Sequence, residues 1–127
     1  MTDEVAPAED AFRPDFVGAD PRFAPDTDGA VLHVPVVRED GTALGRLWAS
    51  EDGIAAGFLP GAGAGAAGLN AKGAWVRRLL QANGEGLDAV EALRLWIGAA
   101  PDDRAGAIPE GSVPTHAGSL DELRRLP

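Results

Sequence analysis

The six residues Gly63-Ala64-Gly65-Ala66-Ala67-Gly68 match G-x-G-x-x-G. In a dinucleotide-binding turn, glycines at that spacing let the backbone approach a pyrophosphate, and the helix that follows points its N-terminal amides at the anion. That chemistry needs a parallel strand before the turn, a helix after it, and a returning parallel strand with an acid about twenty residues on. Phe58-Leu59 precedes the glycines, Glu85 stands near the required offset, and Leu93-Arg94-Leu95-Trp96-Ile97 alternates as a returning strand would. Against it, Pro60 lies between strand and glycines, and the preceding segment reads as part of a hairpin meander. A P-loop is excluded because Lys72 is followed by Gly73 instead of Ser or Thr. Residues 61–68 therefore read as a flexible connector. A nucleotide or small-ligand site on Gly63, Gly65 and Gly68 is the alternative.

The remaining reactive side chains form no coherent set. His33 lies inside the apolar run VLHVPVV and reads as a half-buried sheet residue. His116 has Ser119 and Asp121 nearby in sequence, but proximity along the chain is not triad geometry, and G-x-S-x-G is absent. Paired histidines at metal-ligand spacing are missing, and there is no cysteine, so neither zinc nor thiol chemistry is indicated. Asp102-Asp103 after Pro101 reads as a solvated turn, and DTDG at 26–29 carries only the first alternation of a calcium loop. No catalytic residue, metal or cofactor is expected.

The charge balance narrows the partners. The 127 residues carry a net charge of −9, which repels phosphate backbones and argues against nucleic acid. Asp88 and Glu91 would also sit where a helix-turn-helix makes its contacts to DNA. The uncharged run from Ile54 to Ala71 is long enough to raise the membrane question, but it is mostly Ala and Gly, and too little apolar surface would leave water. The acidic start has no apolar signal region. The expected setting is the cytoplasm.

The elements follow from turn chemistry and periodicity. Residues 1–30 combine Pro7, Pro14, Pro21 and Pro25 with an excess of acids and read as a disordered, Pro-rich acidic arm. A single small domain is expected over 31–127. Asp40-Gly41 and Asp52-Gly53 separate three apolar runs, which predicts type I′ hairpins and a three-stranded antiparallel meander over about 31–60. Pro35 places the first strand at an edge. In the second strand Leu44, Arg46 and Trp48 are expected on one face, with Gly45, Leu47 and Ala49 on the other. Helices are expected at about 71–82 (N-cap Asn70, stop at Asn83-Gly84), 88–97 (capping box Asp88/Glu91) and 119–126 (capping box Ser119/Glu122). The first should bury Trp75, Val76, Leu79 and Leu80. The fold class is α+β, with the helices on one face of the sheet.

A small, non-enzymatic protein-interaction or regulatory domain fits these features. Its partner would be a protein, and self-association is compatible with the sequence. Trp48, Trp75 and Trp96 read mainly as core. The candidate partner-binding residues are Arg46 and Trp48, on a sheet face left open, and Phe12 and Phe16 in the arm. The discriminating element follows Leu87: a parallel strand there would favour the ligand site, a helix the interaction domain.

Overall fold

The computed structural model describes residues 22–126. The chain forms an α+β fold in which a four-stranded antiparallel sheet packs with three helices. The strands are β1 (Val31–Val37), β2 (Ala43–Ser50), β3 (Ala56–Pro60) and β4 (Thr115–Ala117), in the spatial order β3-β2-β1-β4. The helices are α1 (Gly65–Gly84), α2 (Ala89–Leu95) and α3 (Leu120–Arg124). The meander of β1, β2 and β3 is as expected. The fourth strand is an addition, pairing Val31 with Ala117 and His33 with Thr115.

Both Asp-Gly pairs close hairpins, but with a different turn. The closing bond runs from the Gly41 N–H to the Arg38 carbonyl at 2.9 Å, and from the Gly53 N–H to the Ser50 carbonyl at 3.0 Å. Each glycine therefore stands at the fourth turn position, with φ +87° and +82°, and the loops are longer than the two-residue type I′ form. Each aspartate contributes through its side chain. Asp40 Oδ1 accepts from the Thr42 N–H at 2.9 Å and Asp52 Oδ1 from the Ile54 N–H at 3.0 Å. The two Glu-Asp-Gly loops thus use the same Asx device.

β1 is interior at both ends instead of being an edge. β4 covers residues 31–33, and Val37 exchanges bonds of 2.9 and 2.8 Å with Ala107. By the alternation of the strand, Pro35 faces the same side as Val37, in the gap between these two partners. Its missing N–H is thereby accommodated without an edge position. A bulge in β2 explains a second departure. Val36 pairs with Gly45 and Val37 with Ala43, so Leu44 is the extra residue. It turns to the face of Leu47 and joins the core with it, while Arg46 and Trp48 keep the opposite face.

Helix α1 begins six residues earlier than expected. Asn70 is no cap; it lies inside the helix, and the connector shrinks to Gly61–Ala64. Gly68 is buried where the helix crosses the sheet, and a Cβ there would stand 3.3 Å from Pro60 Cβ and 3.4 Å from the Leu44 carbonyl oxygen. The helix ends in a Schellman motif: the Leu87 N–H reaches Ala82 O, the Gly86 N–H reaches Asn83 O, and Gly86 has φ +88°. Gly86, not Gly84, is the stop signal.

A helix follows Leu87. Asp88 and Glu91 form both arms of the expected capping box, but α2 stops at Leu95, short of Trp96 and Ile97. Ser119 caps α3, while the Glu122 carboxylate accepts from the Gly118 N–H at 2.8 Å. The short α3 packs on the face opposite α1 and α2. One core lies between the sheet and α1/α2, around Val34, Leu47, Phe58, Trp75, Leu79 and Leu93. The other joins Val31, Trp48 and Ala117 to Leu120 and Leu123 of α3. Helices on both faces replace the expected single layer, since the alternation of β1 and β2 gives each face large apolar residues to cover.

Residues 22–30, grouped with the arm by composition, take part in the fold. Phe23 is buried in the larger core, and Ala24 forms a parallel bridge with Ala55. The expectation of a disordered arm otherwise falls on residues 1–21, outside the described residues.

Candidate functional site

The face of α1 beside β3 carries more apolar surface than the core uses. The helix buries Gly68, Ala71, Ala74, Trp75, Leu79 and Ala82. Val76 and Leu80, expected on the buried face, remain 45% and 37% exposed. With Phe23, Pro25, Phe58 and Leu59 they line a groove of about 270 Å³ between α1 and β3. Arg22, Lys72 and Arg124 stand around it. This is a cationic rim on an acidic protein. Arg124 also holds Asp121 at 3.1 Å.

The edge of β3 sets how the groove can bind. Residue 24 already takes the first outward position: the Ala24 N–H donates to Ile54 O at 2.9 Å and the Ala56 N–H to Ala24 O at 3.1 Å. By alternation the next outward residues are Phe58 and Pro60, and Pro60 has no N–H. The strand thus offers one outward amide beyond Ala24, too few for an added strand to pair along its length. Recognition here would rest on side chains entering the groove.

The residues singled out from the sequence are scattered by the fold. Gly63 and Gly65 flank the start of α1, and Gly68 is packed against the sheet, so the three do not form one open cradle. The strand before them is antiparallel and the element after Leu87 is a helix, so the βαβ setting of a dinucleotide site is absent among the described residues. Trp48 is 2% exposed, lying over Gly57 and under α3; it packs as core and also lines the groove between α1 and β3. Arg46 is half-buried on the same face, its guanidinium 3.3 Å from His33 Nδ1. Phe12 and Phe16 lie outside the described residues.

His33 is buried more deeply than expected, at 4% exposure. Burial, and then the Arg46 guanidinium, hold its pKa below the ordinary value, so it is neutral at pH 7 with Nδ1 as acceptor. His116 is exposed on β4, 3.3 Å from Glu51, and is not joined to Ser119 or Asp121 by any described hydrogen bond. No group of three or more His, Asp or Glu able to hold a metal occurs among the described residues.

One further cluster is structural. The Arg78 guanidinium lies 4.7 Å from the Trp75 ring centre and 4.6 Å from that of Trp96, and the two rings meet edge to face at 5.9 Å. Trp75 Nε1 donates to Ala105 O at 2.9 Å. Asp102 accepts from the Ala105 and Arg104 amides, which hold its carboxyl below the usual range, and it lies 3.9 Å from Arg78. These contacts fasten the 99–108 segment across α1. Sequence reading found the tryptophans but not the groove. The available signal was an apolar stripe on α1 (Leu69, Val76 and Leu80) wider than one core-facing stripe needs.

No family model matches the chain, and no curated protein or solved structure shows significant similarity to it. Among the described residues no helix is long and apolar enough to cross a membrane.

Proposed function

We propose that the protein is a small, non-enzymatic interaction domain that binds an acidic polypeptide segment through large apolar side chains seated between α1 and β3. The observation that carries this reading is the pairing of exposed Val76 and Leu80 with a groove rimmed by Arg22, Lys72 and Arg124. Apolar surface that a helix leaves outside its own core gains from being covered, and a cationic rim selects the charge of what covers it. A cysteine-free chain suits a reducing compartment such as the cytoplasm.

The test is affinity capture from the native cell with the full chain, a Val76→Glu/Leu80→Glu variant and a Val113→Glu control. All three substituted positions are exposed, so the fold should tolerate them, which a melting curve checks. Proteins held by the wild type and the control are expected to be lost from the groove variant. An unchanged set of captured proteins would overturn the proposal.

A further inference from the structure

We infer that, in the absence of a partner, the groove is filled by the chain's own acidic N-terminal segment, with Phe12 or Phe16 seated between α1 and β3. This inference rests on the groove reading above and names its resident competitor. The described chain enters the fold at the groove wall. Arg22 and Phe23 line the groove, so residues 1–21 are tethered to its wall. Phe16 is six residues from Arg22, a reach of up to about 20 Å, and Phe12 is within about 35 Å. The stretch of α1 from Lys72 to Leu80 is only about 12 Å long. A short tether gives an effective concentration of order mM, so weak docking is well populated.

The segment also complements the groove in charge and shape of side chain. Residues 1–21 hold six acids and one arginine, and both phenylalanines lie among them in Glu9-Asp10-Ala11-Phe12-Arg13-Pro14-Asp15-Phe16. The rim is Arg22, Lys72 and Arg124. Pro14 disfavours helix and strand pairing in the segment, which matches a β3 edge that offers little backbone to pair with. An occupant that presents aromatic side chains between carboxylates meets these requirements, and this chain carries one beside the groove. A partner would then have to displace it, so the segment lowers apparent affinity.

The test exploits the absence of cysteine. An Ala11→Cys substitution in the full chain takes a single nitroxide. Its paramagnetism is expected to broaden the amide signals of Phe58, Lys72, Val76 and Leu80 more than those of residues 110–113, which lead to β4 at the opposite edge of the sheet. Phe12→Ala/Phe16→Ala in the same chain should restore the groove signals. Mixing spin-labelled chains with isotope-labelled, nitroxide-free chains should leave them sharp. The inference fails if the groove signals match the reduced-nitroxide control. It fails equally if broadening survives loss of both phenylalanines, or also appears in the mixture, which would make the occupant a second copy. Capture separates the two proposals. If Val76→Glu/Leu80→Glu loses partners while the nitroxide reports no docking, only self-occupancy falls. If docking is seen and capture is indifferent to the groove, the partner reading falls.

Discussion

At the scale of single residues, His33 is the buried group whose protonation state bears on stability near neutral pH. Its ring is flanked in register by Trp48 and Thr115, and its Nδ1 accepts from Arg46. Burial and the guanidinium both oppose a charge there, so the folded pKa lies below the ordinary 6.5. The unfolded chain then binds the proton more readily than the folded one. Stability is full above about pH 6.5 and declines as the pH falls from there towards the folded pKa. The melting temperature should therefore be flat just above pH 7 and drop as the pH falls below about 6.5. His33→Gln should flatten that drop. An identical pH profile for wild type and His33→Gln would refute the account. Asp40 and Asp52 act in a separate window. Thr42 donates to Asp40, while the Ser50 hydroxyl and then the Ile54 amide donate to Asp52; both carboxyls are held below the ordinary 3.8. What they add is present above about pH 4 and is lost on further acidification.

At the scale of elements, the glycines of α1 separate intrinsic helix propensity from packing. Gly73 is exposed, with nothing within 4 Å of an added Cβ. Gly68 is buried, and its added Cβ would meet Ala64 Cβ at 2.8 Å as well as Pro60. Gly73→Ala should therefore stabilise by about 1 kcal/mol, the ordinary difference in a helix interior. Gly68→Ala gains the same propensity but must push the helix from the sheet, and should destabilise by about 1–3 kcal/mol. Chemical denaturation of the two variants checks the opposite signs. The same contrast shows what the sequence can reveal. Asp40-Gly41, Asp52-Gly53, Asp88/Glu91 and Ser119/Glu122 act within a few residues, so their turns and caps were legible. The start of α1 was not, because its glycines lower propensity while contact with Pro60 and Leu44 favours the helix. β4 was hidden for a related reason: three residues become a strand only through pairing with β1, far away in the chain. The Leu44 bulge, too, depends on a register that only the partner strand fixes.

At the scale of the molecule, composition and folding divide the chain at different places. Prolines and acids continue to Asp28, so composition puts the boundary near residue 30. The fold incorporates the chain earlier, because Phe23 fills the larger core beside the groove and Ala24 pairs with the start of β3 at its outer edge. The groove was illegible for the same reason. Its walls come from residues 22–25, β2, β3, α1 and α3, and a wide apolar stripe on one helix does not say which part of it the rest of the chain will leave uncovered. Phe23 is 7% exposed, and truncating a buried Phe costs about 3–5 kcal/mol through lost transfer energy and the cavity left behind. That is a large share of the roughly 5–15 kcal/mol that holds a domain folded. Phe23→Ala in the full chain should therefore lower the denaturant midpoint strongly, whereas Phe12→Ala/Phe16→Ala should move it much less, because docking at an open groove excludes less water than a place in the core. Deleting residues 1–28 should match or exceed the Phe23→Ala loss, since it removes the Ala24 pairing as well, and deleting residues 1–20 should retain a cooperative transition. A Phe23→Ala midpoint equal to wild type would show that Phe23 belongs energetically with the arm, and would return the boundary to where the composition put it.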